Sequence, residues 1–500
     1  MSHEKLRDLR CRLGEIADVS AAISLLRWDQ ETYMPPKAAS GRGQQLATLS
    51  AIGHRLLTAP ELGRILHELN DSSDQLDADD AKLVSETLYD VTRAAKLPES
   101  FVKEFEETSS QAYEAWVTAR KESQFAVFQP HLEKIVGLVR QKADYLGYAD
   151  SPYDALVEDF ERGMTASELH RLFTELAPRL SALVARIVAK PEGDDPEWLK
   201  GNWEESARWD MSVRVLRDMG YNFAAGRQDR SVHPFTMEMG LEDVRVTTRL
   251  SPDRLFDGLT ASLHEGGHAL YDQGFQEKDR RTTLAAGPSL GIHESQSRLW
   301  ENMIGRSLPF WNYYTPMLRE HFPSQLAGVE AEDVYRALNR VHPSLIRVEA
   351  DECTYNLHII VRFEIERALI EGQAKVSEIP EFWNAKITEY LGLAVPDDAR
   401  GCLQDIHWSH GAVGYFPTYA LGNLYAAQLF EAILRDIPDL WSHVEHGDFR
   451  PLLSWLRTHI HQYGRRKTAG ELVRDASGQT PSNEPFLTYL TGKYGELYGL

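Results

Sequence analysis

Apolar residues recur every three or four positions over most of this chain, the period of an α-helix that buries one face. Helical periodicity or composition covers residues 4–27, 38–58, 79–94, 100–121, 126–146, 165–189, 204–219, 331–341, 344–371, 381–392, 417–435 and 450–463. Asn70–Asp80 reads as a solvated loop leading into a helix cap, since it lacks the glycine and terminal glutamate of a calcium loop. Lys190–Pro196 reads as a second loop. Only near residues 221–250 does the period change. There Arg230–Met239 and Asp243–Arg249 look like two strands around Gly240. The pattern predicts a mainly α protein with one short β-sheet, and no internal repeat interrupts it.

Two helical segments carry chemistry. Ser251-Pro252-Asp253 has the composition of a helix start, Leu255, Leu259 and Leu263 follow at helical spacing, and Gly274 is a plausible stop. Inside this segment stands His264-Glu265-Gly266-Gly267-His268. Residues four apart share a helix face, so His264 and His268 can reach one metal ion together. Glu265 beside them is placed to take a proton from water that the metal activates. Gly266 and Gly267 each cost about 1 kcal/mol in a helix interior, which calls for close approach of substrate or of a neighbouring helix.

A third protein ligand is needed. The next segment, Ser289 to Gly305, has apolar residues around most of its helical wheel and reads as a buried helix. A carboxylate buried there without a cation would be costly, which makes Glu294 the leading ligand. Glu301, two turns on, is its rival, and His293 is a candidate to orient a ligand. Zinc suits two imidazoles and a carboxylate, with cobalt or manganese as alternatives.

With these blocks in view the chain resembles the carboxypeptidase Taq family of metallocarboxypeptidases. The resemblance rests on His264-Glu-Gly-Gly-His268 and His293-Glu-Ser-Gln296, with His233-Pro-Phe235, Asp243-Val-Arg-Val-Thr247, Ile346-Arg-Val-Glu-Ala-Asp351 and Gly401-Cys-Leu-Gln-Asp-Ile-His-Trp408. Trp28-Asp-Gln-Glu-Thr-Tyr-Met-Pro-Pro36 is similar to the family's opening. The blocks run in family order from about residue 25 to 425. The resemblance implies a single catalytic domain over residues 1–500 with a deep cleft, like neurolysin and angiotensin-converting enzyme. Its helical N-terminal portion would span about 1–200 and its metal and substrate site about 221–425. It also implies release of single C-terminal residues from peptides, one divalent metal and a homodimer.

Composition bounds these readings. Hydrophobic residues at 42% and charged residues at 26% are those of an ordinary globular protein. A net charge of −21 without a basic cluster argues against nucleic acid and anionic membrane as partners. Cys11, Cys353 and Cys402 are far apart and read as reduced thiols. The charged N-terminus has no apolar signal core, so the expectation is a cytoplasmic protein with no membrane association.

A carboxypeptidase must hold a free carboxylate, for which the planar fork of arginine is suited. Arg347 leads. In a helix over 344–371 it would join Asp351, Thr354, His358 and Arg362 in a polar stripe that either lines a wet cleft or forms a buried ion-pair network. Arg245 is second, and the resemblance implies that both close the end of the substrate groove. The segment Gln404–Tyr419 offers oxyanion donors. His410 and Tyr415 are the catalytic candidates, their spacing similar to the corresponding neurolysin loop. His407 and Tyr419 stand between substrate contact and simple aromatic packing. Rival readings are an endo-oligopeptidase, a dipeptidyl carboxypeptidase, or a helical scaffold with a structural metal.

Overall fold

The computed structural model describes residues 2–190 and 195–500, so most of the expected Lys190–Pro196 loop lies outside them. Helices Ser2–Thr32, Ala39–Leu57, Pro60–Asn70 and Ala78–Ala95 build an N-terminal layer around its own apolar cluster, including Leu9, Leu13, Leu62, Leu66 and Leu83. Leu284, from the segment after the metal helix, completes that cluster and joins the layer to the site. Helix Pro60–Asn70 escaped the sequence reading, although Pro60 opens it and Leu62, Ile65, Leu66 and Leu69 bury one face. Asp77 caps the next helix through the Asp80 N–H at 2.8 Å, as the acidic loop suggested.

The rest of the protein shares one larger core. At its centre lies helix Pro417–Asp436, buried along most of its length and packed against helix Leu290–Arg298. Gly422 permits that contact, since a Cβ there would stand 2.7 Å from the Cβ of Glu294. The sequence's paired glycines have the same use. A Cβ on Gly267 would lie 2.6 Å from the Ser297 Cα, and one on Gly266 would lie 2.6 Å from Leu216. Neighbouring helices, not substrate, occupy the space that these glycines leave.

Three strands form the sheet, in the order β1 (Gln228–Arg230), β3 (Val244–Thr248), β2 (Thr236–Glu238). β1 runs parallel to β3 and β2 antiparallel to it. The expected strand over Arg230–Met239 is thus broken in two. Pro234 has no N–H to give a ladder, and the Ser231 hydroxyl binds the His233 carbonyl at 2.6 Å, turning the chain between the strands.

Three helix boundaries also differ from expectation. The metal helix spans Asp257–Asp272 and does not begin at Ser251. The Asp257 carboxylate accepts the N–H groups of Ser251 (2.8 Å) and Gly258 (2.7 Å), and Ser251–Arg254 is a separate turn. Residues 344–371 are not one helix. Arg347–Glu349 is a single 3-10 turn, and the helix proper is Tyr355–Ile370. Asp351 Oδ1 takes the N–H groups of Cys353 and Thr354, diverting the backbone from a continuous helix, so the polar stripe does not form as one face. Last, helix Leu290–Arg298 passes into a wider π turn over Leu299–Ile304 before Gly305.

Candidate metal centre and cleft

Ligand atoms of His264, His268 and Glu294 all lie within 4.8 Å of one another. Glu294 Oε2 stands 3.8 Å from His264 Nε2 and 3.5 Å from His268 Nε2. Its other oxygen, Oε1, accepts from Arg298 Nε at 2.6 Å. Burial alone would raise the Glu294 carboxyl. Arg298 and the two imidazoles outweigh it and hold the group well below the usual carboxylate range.

Each imidazole has its far nitrogen held. His264 Nδ1 is 2.9 Å from Glu301 Oε2. His268 Nδ1 is 2.6 Å from His293 Nδ1, and His293 Nε2 is 2.9 Å from Asp272 Oδ1. With Asp272 accepting from His293 Nε2–H and His293 Nδ1 accepting from His268 Nδ1–H, the Nε2 lone pair of His268 faces Glu294, and Glu301 holds His264 by Nδ1 so that its Nε2 points to the same place. This is the arrangement that fixes histidine ligands toward a metal. Burial and the nearby His293 lower His268 to about 4, so it stays neutral. For His264, burial works in the same direction, but Glu294 and Glu301 overcome it and raise the group to about 9. Glu294, Glu301 and Glu265 thus draw positive charge to this point, and a donor set of two imidazoles and one carboxylate fits a divalent cation.

Glu301 belongs to the support of His264 and lies outside the ligand cluster. The π turn begins between the two glutamates and breaks the seven-residue register that made them look equivalent. Glu265 is buried at 7% exposure, and its Oε2 accepts the Thr236 hydroxyl at 2.8 Å. Burial raises its carboxyl, which suits a proton acceptor.

A cavity of about 1130 Å³ opens on the cluster, lined by His264, Glu265, Glu294, Arg347, His407 and Tyr419 among others. Arg347 Nε and Nη2 donate to Asp405 Oδ1 at 3.1 and 2.8 Å, and Nη1 donates to the Tyr355 hydroxyl at 3.0 Å. Arg362 donates through Nε to Asp405 Oδ2 at 2.7 Å. Arg347 and Arg362 therefore meet in a buried ion-pair network, and Arg347 also lines the cleft. Both alternatives for the polar stripe hold in part, with Asp405 as the partner that sequence reading passed over. Three of the five N–H groups of Arg347 are used, which leaves two for a ligand.

His407 lies 5.3 Å from Tyr415 and 4.5 Å from Phe416, ring to ring. Burial, with Asp405 opposing it and Arg347 adding to it, lowers His407 to about 4. Tyr415 packs among Phe160, His407 and Tyr419. Burial raises its phenol and the Glu294 charge adds to the shift. Glu366 holds this loop, a role the sequence did not suggest. It accepts from Trp408 Nε1 (2.8 Å), the Gly414 N–H (2.9 Å) and the Tyr153 hydroxyl (2.7 Å).

Two assigned residues are not drawn to the cluster. His410 is exposed, stacks on Tyr113 at 5.5 Å and does not line the cavity. Arg245 pairs twice with Asp243 (2.7 Å each) and lies over Trp28 at 4.4 Å. In the strand register Arg245 faces Met237, whereas Thr236, which touches Glu265, faces Val246. Strand alternation thus puts Arg245 on the sheet face away from the metal helix, and it does not line the cavity. The expectation that Arg245 binds the terminal carboxylate finds no support in this arrangement.

A sequence profile of carboxypeptidase Taq (M32) metallopeptidases matches residues 8–494. Thermostable carboxypeptidase 1 of Thermus thermophilus is 41% identical, with 97% of each chain covered. Carboxypeptidase 1 of Bacillus subtilis is 37% identical, again with 97% of each chain covered. Among solved structures, the M32 carboxypeptidase of Deinococcus radiodurans R1 superposes with a TM-score of 0.97 at 40% identity, covering 99% of this chain and 100% of that one.

Proposed function

From the premise that the chain belongs to the carboxypeptidase Taq (M32) metallopeptidase family, and is thus a metallocarboxypeptidase, we propose how its residues divide the work. His264, His268 and Glu294 hold one divalent metal, for which zinc is the best match and cobalt or manganese the alternatives. When bound, the metal supplies Lewis acidity toward water and toward the last peptide carbonyl. Glu265 takes the proton from the attacking water and passes it to the leaving amine, its basicity raised by burial. Tyr415 donates to the developing oxyanion. Arg347 receives the substrate's terminal carboxylate on its two remaining N–H groups, with His407 and Tyr419 forming the wall beside it.

The observation that carries this reading is the shared cavity. His264 and Glu294 of the ligand cluster, the buried Glu265 and an arginine with two unused donors all open into it. The substrates are peptides, and single residues leave from the C-terminus. A cytoplasmic location completes the reading, supported by three free thiols, of which Cys353 and Cys402 are buried, and the homodimer is carried over from the family resemblance alone. No helix among the described residues is long and apolar enough to cross a membrane.

Mass spectrometry of a peptide digested by the metal-loaded protein tests this directly. A ladder losing one C-terminal residue at a time is expected. Internal cuts or release of dipeptides would favour an endo-oligopeptidase or a dipeptidyl carboxypeptidase instead.

A further inference from the structure

A second cavity, of about 720 Å³, adjoins the site on the side of Thr236, Asp272 and His293. Arg347 belongs to the other cavity. In the functional reading above, on which this inference rests, the terminal carboxylate enters the Arg347 side. The rest of the peptide then leaves the cleaved bond through the second cavity. β2 runs along that exit. It pairs only with β3 among the described strands, which leaves its other edge without a strand partner, the kind of edge to which an extended peptide adds.

Thr236 and Glu238 are two apart on β2 and share a face. Thr236 touches Glu265 and so stands level with the chemistry. Glu238 follows about 7 Å farther along the strand and also lines the second cavity. Most of the other charges on that wall are matched. Arg93 and Lys142 pair with Asp159, Arg162 with Glu86, Arg465 with Asp90, and His293 with Asp272. Two carboxylates of the wall have no cation at ion-pair distance among the described residues: Glu158, which accepts from the Tyr89 hydroxyl and the Gly163 N–H, and Glu238, which takes only the Gly240 N–H.

We propose that Glu238 forms a subsite for a positive charge on the N-terminal side of the cleaved bond, either a lysine or arginine side chain or the free amino group of a short peptide. Glu238 is exposed, so its carboxylate is open to the cavity it lines. The protein wall around it, with the charge of Asp272, raises the carboxyl. A cation entering the cavity restores the charged form and gains a charge-assisted hydrogen bond that a neutral side chain of equal length cannot make.

The test uses the metal-loaded full chain and peptides with one C-terminal residue held constant. Lysine, norleucine or glutamate is placed at each of the three positions upstream of the cleaved bond. At one position kcat/KM should follow the order lysine, norleucine, glutamate. The lysine-to-norleucine ratio should fall about tenfold in Glu238→Gln, the scale of one hydrogen bond to a charged group. Glu238→Lys should invert the order to favour glutamate. An unaltered ratio in both variants, or an equal loss on all three peptides, overturns the subsite while C-terminal release stands. Absence of C-terminal release from every peptide overturns the carboxypeptidase reading and this inference together.

Discussion

Glu301 Oε2 lies 2.9 Å from His264 Nδ1, and this single contact decides which imidazole nitrogen faces Glu294. A carboxylate in that position orients the ring and increases its basicity toward a metal. Glu301→Gln should therefore still bind metal, with affinity lowered about 10- to 100-fold. Glu294→Ala should lose far more, because a ligand atom itself is removed. Competition against a chelator of known affinity measures both variants. Equal retention of metal in Glu294→Ala and the parent protein would return the ligand role to Glu301.

Glu265 separates base from ligand. Glutamine in its place keeps the size of the side chain and a carbonyl oxygen for the Thr236 hydroxyl, but cannot accept the proton. Glu265→Gln should keep its metal and its melting temperature while kcat falls by about 10³-fold or more. Metal analysis and thermal unfolding on the same sample provide the controls. Turnover within tenfold of the parent would remove Glu265 from the proton path.

Why these residues were legible from sequence, and others not, follows from how they are placed. His264, Glu265 and His268 sit on one helix, where spacing alone fixes a shared face, and Glu294 lies on the next helix in a segment too apolar to tolerate a bare carboxylate. Gly266 and Gly267 signalled a close approach for the same local reason. Arg347 was found, but through a helix that does not exist. Its real partner, Asp405, is 58 residues away and joins it only through the tertiary fold. Nothing local marks Gly422 as the point where a buried helix meets Glu294, or Glu366 as the anchor of the Tyr415 loop. The π turn that separates Glu294 from Glu301 is also invisible to a 3.6-residue period. Arg245 and His410 came from similarity of motif, and their surroundings here do not bring them to the cluster.

Glu366 offers a pH-dependent test of that anchoring. Burial pushes its carboxyl up to about 7, despite three hydrogen-bond donors. A carboxyl raised on folding binds its proton more tightly in the native state. Its stabilising contribution is complete below about pH 4.5 and is lost as the pH rises toward 7. Glu366→Gln resembles the protonated acid at every pH. The variant and the parent should melt at similar temperatures near pH 5, and the variant should gain relative stability by pH 8. Fully developed, the difference is on the order of 3 kcal/mol. Melting curves at the two pH values suffice, and a constant difference between the proteins would show that Glu366 is ionised throughout.

Arg347 provides the test of substrate polarity. If its two unused N–H groups hold the terminal carboxylate, a C-terminally amidated peptide lacks the charged partner and should be cleaved poorly by the parent enzyme. Arg347→Lys should recover little, because an ammonium cannot reproduce the fork that binds Asp405 and the substrate together. Arg347→Ala leaves Asp405 with Arg362 as its remaining partner, so some loss of stability is expected as well. A uniform structural loss lowers kcat/KM on both substrates by one factor. Loss of carboxylate binding lowers it far more on the free acid, so the two substrates converge. Measuring both peptides on each variant separates the causes. Convergence in Arg347→Ala assigns the terminal carboxylate to this residue, and an equal loss on both peptides assigns Arg347 to the support of Asp405 alone.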